Sequence, residues 1–277
     1  ISDFLQKIGI SFIVVTSNHP LPYYLVTSMK HSQLMIFTRK GPFLQGCVDA
    51  ARHHHRYMTG LVDVEKVAEL HAKMSRKYDL DLEKVAAYRL RKAGKATCRM
   101  LIYKLPHSYS IENDELGLPV PNRFCQWVMF ASEGTHPIGD EGDVWLDFAE
   151  DKLTTPGGLE MFRHTRPKDP ANPKKKPGAP SWSWRFSADY YSALRNTAIA
   201  SIKRREEWHL KLIIDEAKKT PGFAGVREQL KKLVALIKSE WVRTMGNAKQ
   251  PELPTQFGYV RRITAKKVSL AWVLKQT

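Results

Sequence analysis

Short apolar, β-branched runs broken by turn residues open the chain. Residues 11–16 (SFIVVT) and 34–38 (LMIFT) each read as a strand, the second ended by Gly41-Pro42. From 43 to 57 and again from 62 to 92 the texture turns helical. Asp63 suits an N-cap, and Val64, Val67, Ala68 and His71 recur at spacings that share one helix face. Asp79-Leu80-Asp81-Leu82 restarts a helix carrying Val85, Ala86, Tyr88 and Leu90. It ends on Arg89, Arg91 and Lys92, where cations complement the helix dipole. Strand texture returns after Gly94 at 96–105, 124–131 and 143–149. In the last of these, Val144, Leu146 and Phe148 alternate with Asp143, Trp145 and Asp147. Residues 1–151 therefore predict one α+β domain, a mixed sheet with helices on one face.

A break in composition follows. Residues 166–180 hold Pro167, Pro170, Pro173, Pro177 and Pro180 with Lys168, Lys174, Lys175 and Lys176 among them, so 152–186 reads as an extended Lys/Pro/Trp-rich linker. Ser187 then opens a helical pattern that runs to about 219 and is closed by Pro221-Gly222. A second helix over 226–245 has the clearest period in the chain. Val226, Leu230, Leu233, Val234, Ile237, Trp241 and Met245 form one stripe, Arg227, Lys231, Lys238 and Arg243 lie off it, and Gly246 follows as C′. These features predict a basic helical domain over 187–277, built on an antiparallel αα-hairpin. The run 268–274 reads equally as a short helix capped by Thr264 or as a strand.

With 277 residues and 43% hydrophobic positions the chain can bury its own core. Cys47, Cys98 and Cys125 are too few and too far apart for a disulfide framework, which points to a reducing compartment, the cytoplasm. The apolar stretch 10–29 is interrupted by Asn18, His19, Pro20 and Pro22 and cannot cross a bilayer as a helix, so no membrane partner is expected. Because the chain opens on Ile1 rather than Met, residues upstream and a targeting segment there stay open. Phosphate-loop, dinucleotide, zinc-protease and nucleophile-elbow motifs are all missing, and no cofactor is implied.

Charge changes the picture most. Lys and Arg number 17 against 8 Asp and Glu over residues 1–110, 1 against 10 over 111–151, and 26 against 10 over 152–277. A segregated positive field concentrates polyanions, of which nucleic acids are the commonest in cells. The expected partner is RNA or DNA, bound through phosphates by an accessory subunit of a nucleoprotein complex, RNA-guided or engaged in DNA replication or transfer. Candidate phosphate contacts are Lys168, Lys174, Lys175, Lys176, Arg185, Lys203, Arg204 and Arg205, with a second cluster at Arg261, Arg262, Lys266 and Lys267 beside Phe257 and Tyr259. Trp182 and Trp184 either stack on unpaired bases or dock the segment onto a core. In the first half Arg52 and Arg56 flank His53-His54-His55, whose imidazoles suit phosphate better than zinc, since neighbouring helical residues point about 100° apart.

A rival class is an endoribonuclease that works without metal, using a histidine as general base. His31, His54, His107 and His164 are candidates, with Tyr23, Tyr24 and Ser108 as partners. The order of a basic helix (Lys73, Arg76, Lys77), an Asp-Leu restart (Asp79 to Leu82), a second basic helix (Arg89, Arg91, Lys92) and the apolar strand 98–105 resembles the Cas6-like CRISPR repeat endoribonucleases. The likeness covers about 40 residues. It implies such a cleavage, but no catalytic residue carries over, and the dense arginine ladder of that family is missing. Acidic residues Glu133, Asp140, Glu141, Asp143, Asp147, Glu150 and Asp151 read as an exposed face over 133–151 that meets other protein subunits. Asp143 and Asp147 would stand about 13 Å apart on one strand face, too far to share a magnesium ion. A purely structural subunit with an acidic protein partner is the third reading.

Overall fold

The computed structural model describes residues 34–106, 123–135, 143–165, 180–246, 248–260 and 267–276. The strand expected at 11–16 lies outside them. The described residues form a mixed α/β molecule with seven helices and a mixed six-stranded sheet. The chain divides into two compact units, Ile1–Asp151 with Ile263–Thr277, and Lys152–Arg262.

The first unit is built on β1 (Met35–Phe37), β2 (Arg56–Asp63), β3 (Cys98–Lys104), β4 (Phe124–Ala131), β5 (Leu146–Asp147) and β8 (Lys267–Ser269), in the spatial order β5-β2-β4-β3-β1-β8. All neighbours are antiparallel except β1 and β3, which run parallel. Helix α1 (Lys40–Ala51) covers one face with Phe43, Leu44, Cys47 and Val48, and the Phe43 ring stacks on Tyr103 at 5.0 Å. Pro42 sits in its first turn, where the missing N–H costs nothing. On the other face a 3₁₀ turn (Val64–Lys66), α2 (Val67–Tyr78) and α7 (Leu270–Leu274) bury Val64, Val67, Met74, Tyr78, Leu270 and Val273 against Met58, Ile102, Trp127 and Met129. Helix α3 (Lys84–Lys92) follows α2 with no fully buried side chain, and helices thus lie on both faces of the sheet, not one. The reason is legible in β3 and β4, where Leu101-Ile102-Tyr103 and Val128-Met129-Phe130 are buried in unbroken succession. Such runs mark strands covered on both sides.

Two further expectations are corrected. Residues 56–57 and 62–63, expected at the ends of two helical stretches, belong with 58–61 to the long strand β2, in which Gly60 lies beneath the Trp127 indole. A Cβ at Gly60 would stand 3.0 Å from the indole nitrogen, so the glycine is there for the ring and not for a turn. The alternation expected over 143–149 also fails. Trp145, assigned to the polar side, packs edge-on against Tyr78 at 5.4 Å, whereas Val144 is 69% exposed. Asp143 accepts a hydrogen bond from the Tyr78 hydroxyl and pairs with Lys77 at 2.5 Å, so it fastens this segment to α2 and is not part of a free acidic face.

The second unit holds β6 (Leu159–His164), β7 (Ser181–Phe186), α4 (Ala188–Lys203), α5 (Glu207–Lys219) and α6 (Ala224–Met245). The basic helical domain expected over 187–277 is not found as a separate unit, since its helices share Lys152–Arg262 with the strands β6 and β7. β6 and β7 pair antiparallel from Leu159↔Phe186 to His164↔Ser181, so the two ends of the segment expected as an extended linker include paired strands, while its Lys/Pro run at 166–179 lies outside the described residues. Residues 267–276 return to the first unit, with β8 on β1 and α7 after it. The helix expected from 187 to 219 breaks at Arg204-Arg205, where Arg205 takes a left-handed φ of 60°. Neither Gly nor Pro marks that break in the sequence. The α6 stripe is as expected, with Val226, Leu230, Leu233, Ile237 and Trp241 buried. Gly222 between α5 and α6 is passed so closely by the chain near Gly258 that a Cβ would meet the Gly258 carbonyl oxygen at 1.7 Å.

Candidate nucleic-acid interface

The corner between α4 and α5 is held rigidly from within. Ser187 caps α4, its hydroxyl accepting from Tyr190 N–H at 3.3 Å. At the far end the Ser201 hydroxyl lies 3.0 Å from His209 Nδ1, and Glu206 approaches the same nitrogen at 3.4 Å, tying the last turn of α4 to the first of α5. Ile202, Leu210, Ile213 and Ile214 are buried behind it. Lys203, Arg204 and Arg205 stand in front, all exposed, and among the described residues none meets a carboxylate. Trp208 and Lys211 follow on the outer side of α5, also exposed.

A second positive strip lies along α6. Lys231 and Lys238 are exposed two turns apart, about 10 Å along the axis, with the small residues Ala235 and Ser239 between and beside them. Arg195 on α4 is exposed as well. It lies near Lys232 of α6 around the Tyr191 hydroxyl, which donates to the Gln229 carbonyl at 3.0 Å. Burial outweighs these two cations and raises the Tyr191 pKa. Other cations of the unit are already matched: Lys218 by Asp215 at 3.3 Å, Lys219 by Glu216, Lys232 by Glu228 at 2.8 Å and Arg243 by Glu240.

Of the residues singled out by sequence, Lys203, Arg204 and Arg205 come together as an open cluster. Lys168, Lys174, Lys175, Lys176, Arg261, Arg262 and Lys266 lie outside the described residues. Arg185 is not open to phosphate: its Nε sits 2.6 Å from the buried Glu160 carboxylate and its guanidinium covers Phe162 at 4.7 Å. Trp184 is 0% exposed on the inner face of the β6–β7 hairpin and cannot stack on a base, and Trp182 is half-buried with the Arg163 guanidinium 5.0 Å over its ring. The strand period explains both. Trp182 and Trp184 are two apart, hence on one face of the hairpin, side by side with their cross-strand partners Arg163 and Met161.

The first-unit candidates do not converge. Arg56 opens β2 and Lys267 opens β8, four strands apart in the sheet, or about 19 Å at the usual spacing. Arg52 is paired with Asp49 at 3.5 Å. Lys267 is half-buried over Phe37, and burial, with Arg99 nearby, lowers its pKa. His54 is nearly buried, with Nδ1 2.6 Å from the Ala50 carbonyl oxygen, so it caps α1 and does not face a phosphate. His55 pairs with Glu133 at 3.3 Å. Among the other histidine candidates, His31 and His107 are outside the described residues. His164 ends β6 edge-on to Phe162 at 5.9 Å.

Arg195, Lys231, Lys238, Trp208 and Lys211 were not singled out by sequence. The helix period alone places Lys231 and Lys238 on one face, which was the available signal. For Trp208 the signal was hidden, because an unbroken helix from 187 to 219 assigns it no special position. No protein-family model, curated protein or solved structure matches this chain. Among the described residues no group of three His, Cys, Asp or Glu side chains is placed to hold a metal ion, and no helix is long and apolar enough to cross a membrane.

Proposed function

We propose that the chain binds nucleic acid, RNA or DNA, through the sugar-phosphate backbone, as an accessory subunit of a nucleoprotein complex, and that its second unit carries the binding surface. The observation behind this reading is the run Lys203, Arg204 and Arg205, three exposed cations on a rigid corner with no carboxylate partner among the described residues. A cation already neutralised by a neighbouring carboxylate gains little from a phosphate, whereas an open one releases counterions when it meets one. Over residues 152–262 the sequence carries 23 Lys and Arg against 10 Asp and Glu, so the unit that holds the corner is positive overall.

The test is fluorescence anisotropy of the full chain with labelled RNA, single-stranded DNA and duplex DNA of one sequence, titrated between about 50 and 200 mM salt. Binding of at least one of them, with log K falling linearly in log salt, is expected. An RNA sample held in EDTA should stay intact, since cutting there would favour the endoribonuclease. Failure to bind any of the three, with retained binding to an acidic protein, would overturn the reading in favour of a structural subunit.

A further inference from the structure

Resting on that reading, we infer that Trp208 is a base-stacking platform and that the α4–α5 corner takes single-stranded nucleic acid in preference to duplex. Trp208 is 67% exposed, and Leu212, one turn further along α5, is 50% exposed. Large apolar side chains left this open on a helix whose opposite side is packed mark a surface meant to be covered. The indole is not held flat by the protein. Among the described residues its one ring neighbour is His209, tilted at 5.3 Å, and the Nδ1 of that imidazole faces Ser201 and Glu206.

What covers this surface is set by charge. Lys203, Arg204 and Arg205 precede the indole across the corner, and Lys211 lies one turn beyond it on the same side of α5. Against these four stand two carboxylates, Glu206, which lies 3.4 Å from His209 Nδ1, and the exposed Glu207. An exposed indole with open cations on either side of it along the chain fits an unpaired base with its flanking phosphates. Duplex DNA keeps its bases stacked on one another and offers such a ring only its backbone. The left-handed Arg205 turns the chain between α4, which ends at Lys203, and α5, which carries the ring. The two tryptophans suggested by sequence for this task, Trp182 and Trp184, are taken up by the β6–β7 hairpin, so the aromatic that the chemistry requires is on α5 instead.

The experiment compares the full chain with Trp208→Ala and Trp208→Phe on a thymidine oligomer, the same length of abasic strand, and a duplex. Trp208→Ala should weaken the oligomer about 5- to 150-fold, the range for losing one stacked base. Duplex and abasic affinities should stay within about twofold and Trp208→Phe should retain most of the oligomer affinity. Unchanged thermal melting shows that the variants are folded. Equal losses on all three ligands, or none on any, would overturn the stacking site while leaving the phosphate-binding reading standing. Absence of binding by the unsubstituted chain to every ligand would remove both. Triple replacement of Lys203, Arg204 and Arg205 by alanine should instead weaken all three ligands together.

Discussion

The side-chain amide of Gln229 on α6 pairs with both backbone groups of Phe186 on β7: its Oε1 accepts from Phe186 N–H at 2.7 Å and its Nε2 donates to the Phe186 carbonyl at 3.0 Å. A side chain here takes the place of a neighbouring strand and joins the hairpin to the helix behind it. The join is tight, since a Cβ at Gly225 would meet the Phe162 ring at 2.5 Å.

Gln229→Ala should therefore destabilise the protein by about 1–3 kcal/mol, because two half-buried backbone groups lose their partners at once. Urea unfolding of the full chain is the measurement. Gln229→Glu should also be destabilising, since a carboxylate cannot donate to the Phe186 carbonyl. A midpoint unmoved in both variants would mean that water replaces the amide.

Trp241 closes the α6 stripe, 1% exposed, with its indole N–H donating to the Ala248 carbonyl at 3.2 Å. Trp241→Ala is expected to cost about 3–5 kcal/mol for a buried aromatic. Trp241→Phe keeps most of the volume, loses the hydrogen bond and should cost about 1 kcal/mol from that loss. If the two variants melt alike, packing around the ring is loose and the stripe is not the core of this unit.

How far the sequence could be read depended on which physical signal dominated each segment. The α6 stripe was legible because one face is packed and the other wet, which is what a 3.6-residue period records. The strands 98–104 and 124–131 were legible because continuous apolar runs of that length have few other uses. β2 was not, since its glycine reads as a breaker until Trp127, 67 positions away, is seen to lie on it. The hairpin around the Lys/Pro run was hidden for a similar reason: pairing of residues 159–164 with 181–186 is a long-range fact, and proline-rich segments read alike as linkers and as loops. Charge blocks predicted where cations are plentiful, but only tertiary contacts distinguish Arg185, bound to Glu160, from Arg204, bound to nothing described.

Titration of buried histidines should make stability depend on pH. Burial lowers the pKa of His54, opposed in part by its bond to Ala50, and burial likewise lowers that of His71 despite Asp81 at 3.9 Å. Below the ordinary value of 6.5 the unfolded chain takes up protons that the folded one resists. Their contribution is thus fully present above about pH 6.5 and declines as the pH falls toward the folded values. Urea midpoints measured from pH 7.5 down to 5 should fall, and His54→Asn should flatten part of that slope. A slope identical in the variant would assign the acid sensitivity elsewhere.

The distinction between open and matched cations gives the sharpest contrast. Lys231 and Lys238 have no described carboxylate partner, whereas Lys218 and Lys219 on α5 are matched by Asp215 and Glu216. Both pairs are exposed lysines on helices of the same unit, so replacing either pair with alanine changes net charge by the same amount. A binding surface that responded only to net charge would treat them alike. If specific phosphates meet Lys231 and Lys238, their removal should reduce the salt slope by about 0.9 per contact on duplex or about 0.7 on a single strand. Removal of Lys218 and Lys219 should leave the slope close to that of the unsubstituted chain, because those charges are already neutralised. Equal slopes in the two double variants would show that the positive field acts diffusely and that the α6 strip is no track for a strand.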